Sequence, residues 1–172
     1  MKRHSDIISW IIATWFGSGL LPKAPGTWGS LAAFPFAFMI SAYTGPYVLI
    51  FGTVALFFIG TWASNKVEQS AQKKDPGFIV VDEVAGQWIA LFPVPFLYNF
   101  LNPDYLYSFI VPIALVAFLA FRIFDIWKPW PIKHVEKSIP GGLGIMLDDV
   151  IAGIYALIIT SALSAGMVLI FL

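Results

Sequence analysis

Long stretches of this chain carry no charge, and that limits its possible folds more than any other feature. Residues 24–65 form a run of 42 without Asp, Glu, Lys or Arg; residues 84–103 form a run of 20, 105–121 a run of 17 and 150–172 a run of 23. A helix that crosses a bilayer needs about 20 mostly apolar residues, with a range of about 17–25. Hydrophobic residues make up 59% of the 172 and charged residues 12%, against about 45–50% and about 25% in soluble domains. A small domain buries only about 60–70% of the surface its unfolded chain exposes. The excess apolar surface therefore calls for lipid as its solvent.

The longest run contains its own turn signal, Tyr43-Thr44-Gly45-Pro46-Tyr47, and so divides in two. Five spans are predicted, at about 29–43, 47–64, 84–100, 106–124 and 150–171. Pro93 and Pro95 fall inside the third, where proline is tolerated if neighbouring helices satisfy the freed carbonyls. Ile7 to Phe16 is apolar but leads to no small-residue cleavage site, so it does not read as a signal peptide. It reads as a short interfacial helix anchored by Trp10, Trp15 and Phe16, with a re-entrant segment as the alternative. The expected fold is all-α: a polytopic membrane helical bundle of about five transmembrane helices plus the short N-terminal helix, in a single domain over 1–172.

Threading these spans puts residues 1–28, 65–83 and 125–149 on one side. All ten Lys and Arg fall in or beside those segments, and of the ten acids only Asp104 lies opposite. The positive-inside rule makes the charged face cytoplasmic. No cysteine is present, which excludes a disulfide scaffold, thiolate zinc sites and a cysteine nucleophile. The formal net charge is zero, which gives a nucleic-acid partner no electrostatic support.

Five carboxylates stand at membrane boundaries on the charged face: Asp82, Glu83, Asp125, Asp148 and Asp149. Acids at such depths are functional candidates by default. Asp82-Glu83 and Asp148-Asp149 each precede an apolar run and could open a helix, where one acid is favoured by about 0.3–1 kcal/mol. Capping needs only one. Two pairs, with Asp125 at the end of another span, suit a hard divalent cation such as Mg²⁺, which prefers carboxylates, keeps waters and joins them to a substrate phosphate.

Arg122, Asp125 and Lys128 are spaced three apart and share a helix face that Pro129 must end. They read either as a simple salt-bridged row or as a phosphate clamp beside a metal ligand, since Lys and Arg neutralise phosphoryl oxygens. Two glycine-rich segments, Phe16 to Ser30 and Pro140 to Asp149, lie on the same face. Turns use glycine anyway, but glycine also lets backbone N–H groups approach an anion at a helix start. Lys23, Thr27, Ser30, Gly142 and Gly144 are therefore candidate phosphate-binding residues. Neither a P-loop nor a dinucleotide fingerprint fits the spacing. Of the two histidines, His134 reads as a solvated loop residue.

The chain resembles the phosphatidylglycerophosphatase A family of bacterial inner-membrane lipid phosphatases. The resemblance rests on Phe16-Gly17-Ser18-Gly19, Pro25-Gly26-Thr27 and Gly29-Ser30-Leu31-Ala32-Ala33, and on Asp82-Glu83 with Gly86 and Trp88-Ile89. It is strongest over Phe121-Arg122-Ile123, Asp125, Trp127 to Ile132, and Gly141-Gly142 with Gly144-Ile145-Met146 and Asp148-Asp149. It implies Mg²⁺-dependent hydrolysis of phosphatidylglycerophosphate, a membrane lipid substrate, to phosphatidylglycerol and phosphate. Under that reading Asp82, Glu83, Asp125, Lys128 and Asp149 are catalytic. Asp82, Glu83, Asp125, Asp148 and Asp149 hold the metal, and Lys23, Thr27, Ser30, Arg122, Gly142 and Gly144 bind substrate phosphate. Attack by water and a covalent aspartyl route are both compatible with these acids. A small cation-coupled transporter is the alternative, and it predicts acids near the bilayer midplane.

Overall fold

The computed structural model describes the backbone of residues 2–97 and 103–171 and the side chains of 6–97 and 108–169. The end of the third expected span, 98–100, and part of the following loop lie outside the described residues. The described chain is helical throughout, with no strand among the described residues: α1 (Lys2–Ala13), a 3₁₀ turn (Ser18–Leu20), α2 (Pro25–Thr44), α3 (Pro46–Ala71), α4 (Val81–Ala90), α5 (Pro93–Leu97), α6 (Pro103–Trp127), α7 (Ile132–Ser138) and α8 (Gly141–Phe171). Among the described residues, three helices are long and apolar enough to cross a membrane: Pro46–Ala71, Ser108–Trp127 and Gly141–Leu169.

The other two expected spans take different forms. α2 covers the first, but it opens earlier, at Pro25, and Gly26, Thr27, Gly29 and Ser30 make its start less apolar than the rest. Pro25 at its start loses no hydrogen bond, because the first-turn N–H groups have no helical partner. The third expected span is broken. α4 ends after ten residues in a tightened turn in which the Leu91 N–H donates to the carbonyls of Gln87 and Trp88. Pro93, which has no N–H to continue the ladder, then opens α5.

α4 is enclosed by the others. All its residues but Glu83 are buried, and it packs most extensively on α8, then on α2 and α3. The α4–α8 contact is made of backbone. A Cβ on Gly153 would stand 2.5 Å from the Gly86 carbonyl oxygen, and a Cβ on Gly86 would stand 2.6 Å from that of Asp149. Small residues at membrane-helix crossings allow this approach. Outside the bundle, Phe51 and Phe58 of α3, Leu115 of α6 and Ile158 of α8 point away from it, each more than half exposed. An apolar exterior of this kind suits lipid contact.

The N-terminal segment is only partly interfacial in character. Phe16 is exposed, but Trp15 is buried, packs edge-on to Trp88 and donates its indole N–H to the Ala32 carbonyl at 3.3 Å. Trp10 stacks on Phe78, and the Val80 N–H donates to the Ala13 carbonyl at 2.8 Å, which ties the end of α1 to the start of α4.

Gly86→Val places side-chain atoms where Phe121 and the α8 backbone already stand. Overpacking of this kind costs about 1–3 kcal/mol, so the variant's thermal midpoint in detergent, followed by circular dichroism, is expected to fall by several degrees.

Candidate functional site

Asp82 and Glu83 occupy the first turn of α4, and Asp149 lies in the third turn of α8. The Gly86–Gly153 contact sets these turns side by side. One carboxylate oxygen from each of Asp82, Glu83 and Asp149 lies within 4.8 Å of the other two. Asp82 and Asp149 are 8% and 2% exposed, too little for water to solvate three converging negative charges.

Asp82 Oδ1 and Glu83 Oε2 are buried with no hydrogen-bond partner. Three hard oxygen donors at this spacing, two with unused atoms, fit a divalent cation of the Mg²⁺ or Ca²⁺ type, which oxygen ligands prefer.

The other two acids are held by cations. Asp125 Oδ2 pairs with Arg122 Nη1 at 2.5 Å one helical turn away, and Arg122 Nη1 also lies 3.9 Å from Glu83 Oε1. Asp148 Oδ2 pairs with Lys128 Nζ at 2.7 Å, and the same ammonium reaches Glu136 Oε1 at 3.2 Å. Burial works against the Lys128 charge, but Asp148 and Glu136 outweigh it and hold its pKa above the usual lysine value. Lys128 ends α6 with φ 47°, a left-handed backbone that non-glycine residues adopt at a cost of about 1–3 kcal/mol. The two ion pairs hold it there. All five expected acids thus lie in one continuous charged cluster, but only three form the close group.

The expected phosphate-binding residues divide. Arg122 lines the acid group. Gly26 is placed there too, since a Cβ on it would strike Glu83 and stand 3.0 Å from Arg122 Nη1. Thr27 is half-buried in the same turn of α2, and Lys23 is exposed in the loop before it. Ser30 is fully buried and its hydroxyl donates to the Gly26 carbonyl at 2.9 Å, so that proton is used within the helix. Gly142 and Gly144 lie in the first turn of α8, which starts at Gly141, and not in a loop. A Cβ on Gly142 would stand 2.6 Å from the Asn65 backbone nitrogen, and one on Gly144 would strike the Ile139 carbonyl, so both serve close packing.

Sequence reasoning missed Gly26 and Glu136 as parts of the site. Glu136 carried no local signal, because its partner Lys128 lies eight residues away across a chain reversal. Beside Asp148 a polar cavity of about 300 Å³ opens, lined also by Glu68, Lys74, Asp75 and Glu136. A larger cavity of about 560 Å³ between α5 and the C-terminal half of α8 is almost wholly apolar and carries no acid.

Two outcomes follow. Lys128→Met leaves Asp148 buried without its cation, which costs about 1–3 kcal/mol. Its thermal midpoint is expected to fall, and adding Asp148→Asn is expected to recover part of the loss. A divalent cation held by Asp82, Glu83 and Asp149 would offset their mutual repulsion, so thermal melts with saturating Mg²⁺ are expected to show a higher midpoint than melts in EDTA.

A family model for phosphatidylglycerophosphatase A matches residues 11–164. A protein of Escherichia coli named phosphatidylglycerophosphatase A is 36% identical over 164 residues, covering 90% of this chain and 87% of the relative. One of the same name from Haemophilus influenzae is 37% identical over 157 residues, covering 91% and 89%. A Bacteroides thetaiotaomicron protein provisionally named a phosphatidylinositol-3-phosphatase is 41% identical over 164 residues, covering 92% and 94%. No solved structure matches. The matched residues span the acid group and both of its flanking cations, and the chain belongs to the phosphatidylglycerophosphatase A family of phosphoric monoester hydrolases.

Proposed function

We propose that this chain, as one membrane-embedded domain over 1–172, hydrolyses phosphatidylglycerophosphate to phosphatidylglycerol and inorganic phosphate with Mg²⁺ as cofactor. The place of this reaction is the making of phosphatidylglycerol and cardiolipin. The observation that carries the reading is the buried group of Asp82, Glu83 and Asp149 with unused oxygens. The named relatives supply the substrate.

Asp82, Glu83 and Asp149 hold the cation in this reading. When bound, it would neutralise the phosphomonoester and make water a better nucleophile. Asp125 and Asp148 fix Arg122 and Lys128, whose remaining N–H groups face the phosphoryl oxygens as charge develops. Lys23 and Thr27 stand at the rim. The lipid's polar end enters by way of the polar cavity beside Asp148, and its acyl chains stay among the apolar outer faces.

The proposed setting is the bacterial cytoplasmic membrane. About five passes are made by α2, α3, the broken α4–α5 element, α6 and α8, with the charged face toward the cytoplasm. A carrier is disfavoured because Asp82 and Glu83 lie in the first turn of α4, Asp125 in the last turn of α6, and Asp148 and Asp149 in the third turn of the 31-residue α8, all toward the charged end of the bundle rather than at mid-span.

The test is phosphate release by the purified protein in mixed micelles. Phosphatidylglycerophosphate with Mg²⁺ is expected to be turned over, faster than phosphatidylinositol 3-phosphate, and EDTA is expected to stop the reaction. Asp82→Asn and Asp149→Asn are each expected to lower kcat at least about 100-fold without lowering the thermal midpoint. Near-normal turnover in both variants would sink the acid-group assignment, and faster cleavage of the inositol lipid would reassign the substrate.

A further inference from the structure

Gln87 is fully buried on α4, and neither its Oε1 nor its Nε2 has a hydrogen-bond partner. A primary amide has two donor hydrogens and an acceptor oxygen. Burying them unpaired is a cost that a Leu or Met of similar size would avoid. A group kept in that state points to something else that it binds.

Its place in the fold narrows what that is. Gln87 lies four residues beyond Glu83, so the two share a face of α4 one turn apart. Glu83 on that face meets Arg122 and the Gly26 backbone. Gly86, the preceding residue, rests on the Asp149 carbonyl and Phe121. The amide therefore belongs to the residue one helical turn beyond Glu83, on the face of α4 that carries this acid. Arg122 Nε is also buried and unpaired. The contact of the Glu83 carboxylate with the Arg122 guanidinium thus lies one turn from the Gln87 amide along the same face of α4. The amide is neutral and does not titrate, so it suits a neutral ligand with donors and acceptors of its own, and water is the smallest such ligand.

We propose that Gln87 binds and orients the hydrolytic water at the inner side of the Asp82–Glu83–Asp149 group. This rests on the phosphatase reading above. The water oxygen bonds to phosphorus as the bond from phosphorus to the ester oxygen breaks. One water proton ends on the departing alcohol and the other stays on the phosphate. Gln87 gains or loses no proton: its Nε2 donates to the water oxygen and its Oε1 accepts from a water hydrogen.

The experiment compares Gln87→Leu and Gln87→Asn with the parent, in the same detergent and on the same phosphatidylglycerophosphate micelles. Gln87→Leu is expected to melt at or above the parent's midpoint, keep KM within about twofold and lose about 100-fold in kcat. Gln87→Asn, which keeps the amide on a shorter stem, is expected to recover part of that loss. A folded Gln87→Leu with kcat within about threefold of the parent overturns the proposal. So does a Gln87→Leu that melts lower or fails to fold, because the amide would then have a structural partner. Turnover by the parent keeps the phosphatase reading intact in each of these cases, whereas a parent inactive on every lipid phosphomonoester removes both.

Discussion

Contact between two helix backbones governs the site. α4 is too short to span a bilayer and is held by its neighbours, and its tightest hold is on α8 through Gly86 and Gly153. With side chains at these positions the helices would stand farther apart. Asp149 would then leave the reach of Asp82 and Glu83. Packing energy gained along the rest of the crossing is what keeps three carboxylates together against their mutual repulsion and their loss of water.

The distribution of charge around that contact is uneven. Arg122 and Lys128 are each engaged by two carboxylates, and their short partners, Asp125 and Asp148, lie at the edges of the cluster. Among the described residues, Asp82 and Asp149 at the centre have no ion-pair partner, and Glu83 has only the longer 3.9 Å contact to Arg122. A cluster neutralised at its rim and negative in its middle is suited to a small ion of double charge. The same rim pairs lock two cationic side chains beside the place where a phosphate would meet that ion.

Much of this arrangement was legible from the residues alone. The adjacent acids Asp82-Glu83 before an apolar run marked the start of α4, and the three-residue spacing of Arg122 and Asp125 correctly implied a shared face. Helix extent was less legible. α8 opens at Gly141 instead of near 150, because Gly142 and Gly144 pack where no side chain fits and so are needed within a helix. The break after Ala90 precedes Pro93 by a tightened turn, and a hydropathy run does not reveal where a helix loses its ladder. Ser30 resembled a phosphate ligand by type, yet its hydroxyl bonds its own backbone, as hydroxyls in apolar helices often do. Gln87 offered no signal, since one glutamine in an apolar run has no periodicity to stand out from. Its meaning comes only from burial.

The outward-facing Phe51, Phe58, Leu115 and Ile158 have a kinetic consequence. A protein solvated by acyl chains meets a lipid reactant by sideways diffusion in a two-dimensional sheet. Encounter frequency then scales with the fraction of lipid molecules that carry the reactive headgroup, not with their amount per volume of suspension. Diluting the reactant with inert phospholipid would slow the reaction at constant total concentration, and adding buffer to the same vesicles would leave it unchanged.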